Sequence, residues 1–146
     1  MRPRWMAAAG LAALAATACS GDPSDVTAEE LVGLWGVISL VYTSQADPSV
    51  RADLVAAGAI YSLRLVSGGT YESRLSGPSV AMDVESGEYD VRGRMLLLTP
   101  AGRAQRSLTL RFNESLLTLH EADTAWDFDG DGSAEAAALD MVLDRF

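Results

Sequence analysis

Cysteine, lysine and histidine are nearly missing from this chain of 146 residues, and each shortage closes off a kind of chemistry. Cys19 is the single cysteine, so no disulfide forms within one chain and stability must come from the core. With one cysteine and one histidine, His120, the Cys/His ligand set of a zinc site cannot be assembled. That histidine ends a strand pattern, an ordinary rim or surface position. No serine, Ser115 included, is marked as a nucleophile beside a base. No glycine-rich loop follows a strand and opens a helix, which removes a phosphate cradle. Among 20 acids no pair stands out as the two carboxylates of glycoside chemistry. The expectation is that the protein is not an enzyme.

Bases are scarce as well. All 11 are arginine and the formal net charge is −9, which repels phosphate backbones and excludes nucleic acid as a partner. The apolar run from Trp5 to Ala18 falls short of a comfortable membrane span. Against these shortages stand 49% hydrophobic and 21% charged residues, an ordinary globular balance. The length suits one domain.

Arg2 and Arg4 followed by the Trp5–Ala18 run read as an export signal over residues 1–18. The run ends in Ala16-Thr17-Ala18-Cys19-Ser20-Gly21, which resembles a bacterial lipobox, with Ala16 where Leu is commoner. The resemblance implies cleavage before Cys19, palmitate-type acylation there, and anchoring of the domain to the cell envelope outside the cytoplasm. Ser20, where an Asp would signal inner-membrane retention, leaves the outer membrane open in a two-membraned cell. The alternative is an ordinary secretory signal with an incidental cysteine. Residues 19–29 then form the lipidated cysteine and a small, polar tether, and residues 30–146 the folded domain.

Thr27-Ala28-Glu29-Glu30 has the pattern of a capping box and predicts a turn or two of helix before Gly33. Beyond it the dominant period is two. Leu34–Thr43, Tyr61–Leu65, Thr70–Leu75, Glu88–Arg92, Arg94–Leu98, Leu108–Phe112, Leu117–His120 and Leu139–Arg145 read as strands, with a weaker segment over Val80–Val84. Trp126 and Phe128 are expected on one face of a further short strand. Pro48–Ala57, with Asp47 as cap and Gly58 as terminator, reads equally as helix or strand. Eight to ten strands joined by short turns predict an all-β, antiparallel up-and-down barrel, with a two-sheet sandwich as the alternative. Glu72, Arg74, Glu88, Asp90, Arg92 and Arg111 would form its wet outer face. Tyr61, Leu63, Tyr71, Tyr89, Leu108, Leu110, Trp126 and Phe128 are the inward residues that would line a ligand or plug the space.

Leu31-Val32-Gly33-Leu34-Trp35, just after a capped turn, resembles the Gly-x-Trp opening of lipocalins. More closely, residues 30–146 resemble bacterial lipocalin-like lipoproteins of unassigned function. The similar stretches are Leu31–Trp35, Asp53-Leu54-Val55-Ala56, Gly69-Thr70-Tyr71 and Asp127-Phe128-Asp129-Gly130-Asp131-Gly132. The resemblance implies a lipocalin-like barrel in which Arg145, near the end of the last strand, stacks on Trp35 at the closed end. A ligand would enter at the other end. Unlike eukaryotic lipocalins, the chain has no disulfide and no helix pattern after its last strand.

The most specific polar cluster is Asp127-Phe128-Asp129-Gly130-Asp131-Gly132-Ser133-Ala134-Glu135. Counted from Asp127, carboxylates fall at positions one, three, five and nine and a glycine at six, the front of a calcium loop. Ala138 stands where an EF-hand places its bidentate Glu, so a full EF-hand is not expected. Asp127, Asp129, Asp131 and Glu135 are the candidate Ca2+ ligands, and a plain Asp-Gly turn is the competing reading. Two functions are weighed: a module binding a small apolar ligand, and a filled barrel acting through its surface with no small-molecule ligand.

Overall fold

The computed structural model describes residues 25–146. The export segment, Cys19 and the tether as far as residue 24 lie outside the described residues. The chain enters the fold through α1 (Ala28–Leu31), a single capped turn. Thr27 Oγ1 accepts from the Glu30 N–H, and the Glu30 carboxylate accepts from the Thr27 N–H at 2.7 Å. The reciprocal pair satisfies donors that a helix start otherwise leaves open.

Nine strands follow: β1 (Gly33–Ser44), β2 (Arg51–Asp53), β3 (Ile60–Val66), β4 (Thr70–Gly77), β5 (Val80–Arg92), β6 (Met95–Pro100), β7 (Arg106–Asn113), β8 (Leu116–Trp126) and β9 (Glu135–Arg145). All pairings are antiparallel, and β1 pairs with β9, so eight strands close a ring in the order β1-β3-β4-β5-β6-β7-β8-β9. The up-and-down barrel read from period-two alternation is the fold. β2 is the extra strand. β3 accompanies β1 only from Gly33 to Gly36, and β2 takes that side at Val41–Thr43.

Three local expectations change. Pro48–Ala57 forms no helix. Asp47 accepts from the Ser49 N–H and hydroxyl, Val50 N–H returns to the Asp47 carbonyl, and Arg51–Asp53 then supplies the pairing that β3 leaves undone on β1. Val80–Val84 and Glu88–Arg92 are one strand, β5, extended through Ser86 and Gly87. The site of Gly87 is crowded by the Thr99 carbonyl and Pro100 backbone of β6, leaving no room for a side chain. Trp126 ends β8 and Phe128 lies beyond it in the loop, because the reversal begins at Asp127, whose carboxylate accepts from the N–H groups of Gly130 and Gly132.

Alternation points one face of each strand inward. Leu63, Leu65, Leu96, Leu108, Leu110, Leu117, Leu119 and Leu143 are almost wholly buried and fill the barrel from its closed end through its middle. Trp35 seals that end: its indole N–H donates to the Leu31 carbonyl at 2.9 Å, and Phe112 meets it edge to face at 5.9 Å. The hairpin walls carry the expected outer charges, with Arg74 paired to Glu72 and Arg92 to Asp90.

Candidate functional site

The closed and open ends of the barrel differ in chemistry. At the closed end Arg145, from β9, places its guanidinium 4.6 Å from the centre of the Trp35 ring and donates to the Glu30 carbonyl. Pairing of Trp35 with Arg145 across β1 and β9 sets up this stack, a cation on an aromatic ring.

At the opposite end the leucine filling gives way to charge. On β7 the inward face that carries Leu108 and Leu110 continues to Arg106, and on β8 the face of Leu117 and Leu119 continues to Glu121. Arg106 grips Glu121 through two nitrogens, Nε to Oε1 at 2.9 Å and Nη2 to Oε2 at 2.6 Å. Its Nη1 reaches Glu85 of β5 at 3.3 Å, and the Tyr71 hydroxyl donates to the same Glu85 oxygen at 2.8 Å. Glu121 is 4% exposed, and that bidentate bond gives both of its oxygens a donor. The bond, together with the Coulomb attraction of both glutamates, holds the Arg106 guanidinium firmly protonated against the opposing cost of burial.

Above this network lies a recess of about 90 Å3. Tyr42, Tyr61, Ser73, Asp83, Glu85 and Arg106 supply its polar wall, and Leu40, Leu75, Leu139 and Met141 its apolar one. Burial pushes the Tyr61 phenol up to about 12, and burial followed by its bond to Glu85 raises Tyr71 further. Both phenols therefore stay neutral, and the Tyr71 hydroxyl is the donor to Glu85. Trp126 stacks on Tyr42 with ring centres 4.4 Å apart and planes at 18°, bracing that wall from outside the recess.

The ligand-lining residues read from the sequence separate into three places. Tyr61 lines the recess, and Trp126 and Tyr71 support it at one remove. Leu63, Tyr89, Leu108 and Leu110 are buried among other core side chains. Phe128 sits in the loop between β8 and β9, partly buried. Tyr42, Ser73, Glu85, Arg106 and Glu121 were not anticipated, although the alternation that marks their apolar neighbours runs straight through them.

The acidic loop joins β8 to β9. Asp127, Asp129, Asp131 and Glu135 each offer an oxygen within 4.8 Å of the others. The same carboxylates also build the turn: Asp127 accepts from Gly130 and Gly132, Asp129 from Asp131, Asp131 from Ser133, and Glu135 from Phe128. The Gly132 N–H is the main influence that holds the Asp127 carboxyl below its ordinary value. Positive φ at Gly130 and Gly132 permits the tight course of the loop. His120 faces outward from β8 and meets Asp140 across the β8–β9 ladder at 2.8 Å.

The fold defines the class as a closed eight-stranded antiparallel barrel with one supplementary strand. In comparisons with known proteins, no protein-family profile, no curated protein and no solved structure matches this chain.

Proposed function

We propose that the protein is an exported, lipid-anchored barrel of the bacterial cell envelope that works as a binding or accessory module, taking a small ligand at the end opposite Trp35 and Arg145. The observation that carries the reading is the recess among Tyr42, Tyr61, Ser73 and Glu85, set on a barrel otherwise filled by leucine. Its volume of about 90 Å3 is well below the ~300–1,000 Å3 of sites for drug-sized ligands. The apolar ligand expected from the sequence is therefore replaced by a smaller one that also satisfies polar walls. The filled interior supports a second reading, a module that works through its surface with no ligand inside. The lipobox-like residues 16–21 support the anchor, and the convergence of Asp127, Asp129, Asp131 and Glu135 supports Ca2+ as an accessory ion at the loop.

Native mass spectrometry of the chain extracted from membranes tests these parts separately. The expected mass begins at Cys19 and carries acyl groups, with a small adduct retained and a calcium mass removed by chelator. A chain that keeps residues 1–18, or a bare Cys19, overturns the anchor. An acylated chain with no adduct moves the function to the surface of a filled barrel.

A further inference from the structure

We propose that the free border of β5, over Val80–Ser86, docks an extended segment of a basic partner protein as an added antiparallel strand. The inference depends on neither the membrane anchor nor a guest in the recess. The border follows from unequal strand lengths. β5 accompanies β4 as far as Val80, but β6 pairs with it only from Gly87 onward and ends at Pro100. β7 starts at Arg106 and pairs with β8 no further than Thr109 with His120, whereas β8 runs on to Trp126. The wall therefore has a breach two strands wide between β5 and β8, above the ends of β6 and β7.

Hydrogen-bond alternation decides which main-chain groups border the breach. The Tyr89 N–H donates to Gly69 on the β4 side, and the Ser86 carbonyl accepts from Ala101 on the β6 side. The main-chain groups of Met82 and Val84 and the Ser86 N–H therefore point away from β4, and among the described residues none of them has a partner there. Met82 is 78% exposed and Val84 51%, both on the outer face, while Asp83 turns to the inner one. No proline or lysine blunts the stretch. A second copy of the chain fits it poorly. Antiparallel pairing about Asp83, Val84 or Glu85 sets acid against acid, and like charges directly opposite destabilise a ladder. A strand with apolar side chains beside Met82 and Val84 and a cation beside Asp83 avoids that conflict. The net charge of −9, with Asp127, Asp129, Asp131 and Glu135 gathered at the same end of the barrel, attracts such a partner. Main-chain bonds would supply its affinity and the alternating side chains its specificity.

The test adds capped synthetic heptapeptides to the isotope-labelled full chain in non-ionic detergent micelles and follows amide hydrogen exchange by NMR. One peptide alternates valine and lysine, the other valine and glutamate. The expected result is saturable binding of the lysine peptide, with exchange at the Val84 and Ser86 N–H groups slowed about tenfold or more. The Glu85 N–H, already turned to β4, should not change. In an antiparallel pair the groups facing β5 belong to the peptide residues on the outer face. N-methylation of the valines should therefore abolish binding, and N-methylation of the lysines should not. Asp83→Lys, on an exposed stretch of β5, should weaken the lysine peptide about tenfold and favour the glutamate peptide instead. Equal binding of the two peptides to the unaltered chain overturns the basic partner. Binding indifferent to valine methylation, or no binding of either peptide, overturns strand addition. Protection of Val84 in a dimer without peptide overturns the partner in favour of a second copy.

Discussion

Arg145 lays one guanidinium against two rings at once, 4.6 Å from the centre of Trp35 and 5.5 Å from that of Phe112. One cation from the last strand therefore joins β1 and β7, while Trp35 ties the barrel floor to α1 through Leu31. Trp35→Ala should cost about 3–5 kcal/mol by emptying a fully buried site. Arg145→Ala should cost about 0.5–2 kcal/mol, and Arg145→Lys less, because the charge stays over the rings. Urea unfolding followed by tryptophan fluorescence checks the order, and an Arg145→Ala loss as large as that of Trp35→Ala would refute it.

Two glycines in the wall should answer differently to the same added methyl. At Gly87 a Cβ would run into the Thr99 carbonyl and the Pro100 backbone, which the β5–β6 ladder holds in place. At Gly36 it would meet only the ring of Phe146, 86% exposed at the chain end and free to swing aside. Gly87→Ala is expected to lose about 1–3 kcal/mol through overpacking, and Gly36→Ala well under 1 kcal/mol. Thermal melts of the two variants side by side make the comparison.

The four tyrosines should resist ionisation together. Burial is the first cause of the raised value at Tyr42, Tyr61, Tyr71 and Tyr89, with Tyr61 pushed up to about 12. A phenol whose folded value exceeds its unfolded value of about 10 contributes stability that is complete below pH 10 and lost as pH climbs through the folded value. A spectrophotometric titration should therefore show less tyrosinate at pH 10 than free phenols would give, the rest appearing as the chain unfolds at higher pH. A smooth titration centred at 10 would contradict the burial described here.

Calcium and acid should act on the loop in opposite directions. The folded value of Asp127 lies below the unfolded one, so its contribution is present above about pH 4 and is lost as pH falls through the depressed value. Calcium binding with a millimolar-type constant would add about 1.4 kcal/mol at tenfold excess over that constant. Asp129→Asn keeps an oxygen for the Asp131 N–H while removing a charge. It should abolish the calcium-dependent rise in melting temperature and leave the calcium-free melt unchanged. A wild-type melt insensitive to calcium assigns the loop to the turn alone.

The barrel was legible because turns and period-two alternation are local. Ser67-Gly68-Gly69 closes β3 to β4, and Leu110-x-Phe112 faces Leu117-x-Leu119 as its spacing requires. The Pro48–Ala57 segment was not, because what settles it is a vacancy on β1 created by β3, a tertiary fact that no local propensity encodes. The polar end was half legible. Arg106 stands two residues before Leu108, and Glu121 two after Leu119, so position alone points both inward. Charge argued for solvent instead, and only their meeting across adjacent strands makes an inward ion pair affordable. Glu85 needed a further strand to bring it there.

Closure of the ring also decides how this molecule can meet others. Every strand of the barrel has both flanks taken by neighbours for at least part of its length, and the outlying β2 offers a free flank only three residues long. Recruitment by adding a strand to an open border, the route to many peptide complexes and to runaway aggregation, is confined to β2 and to the rim stretches Val80–Ser86 of β5 and Thr124–Trp126 of β8, each paired on one side only. Around the closed part of the ring only side chains and loop ends are left to meet a partner, and the rim around Tyr42 and the Asp127–Glu135 loop gathers both at one end of the barrel.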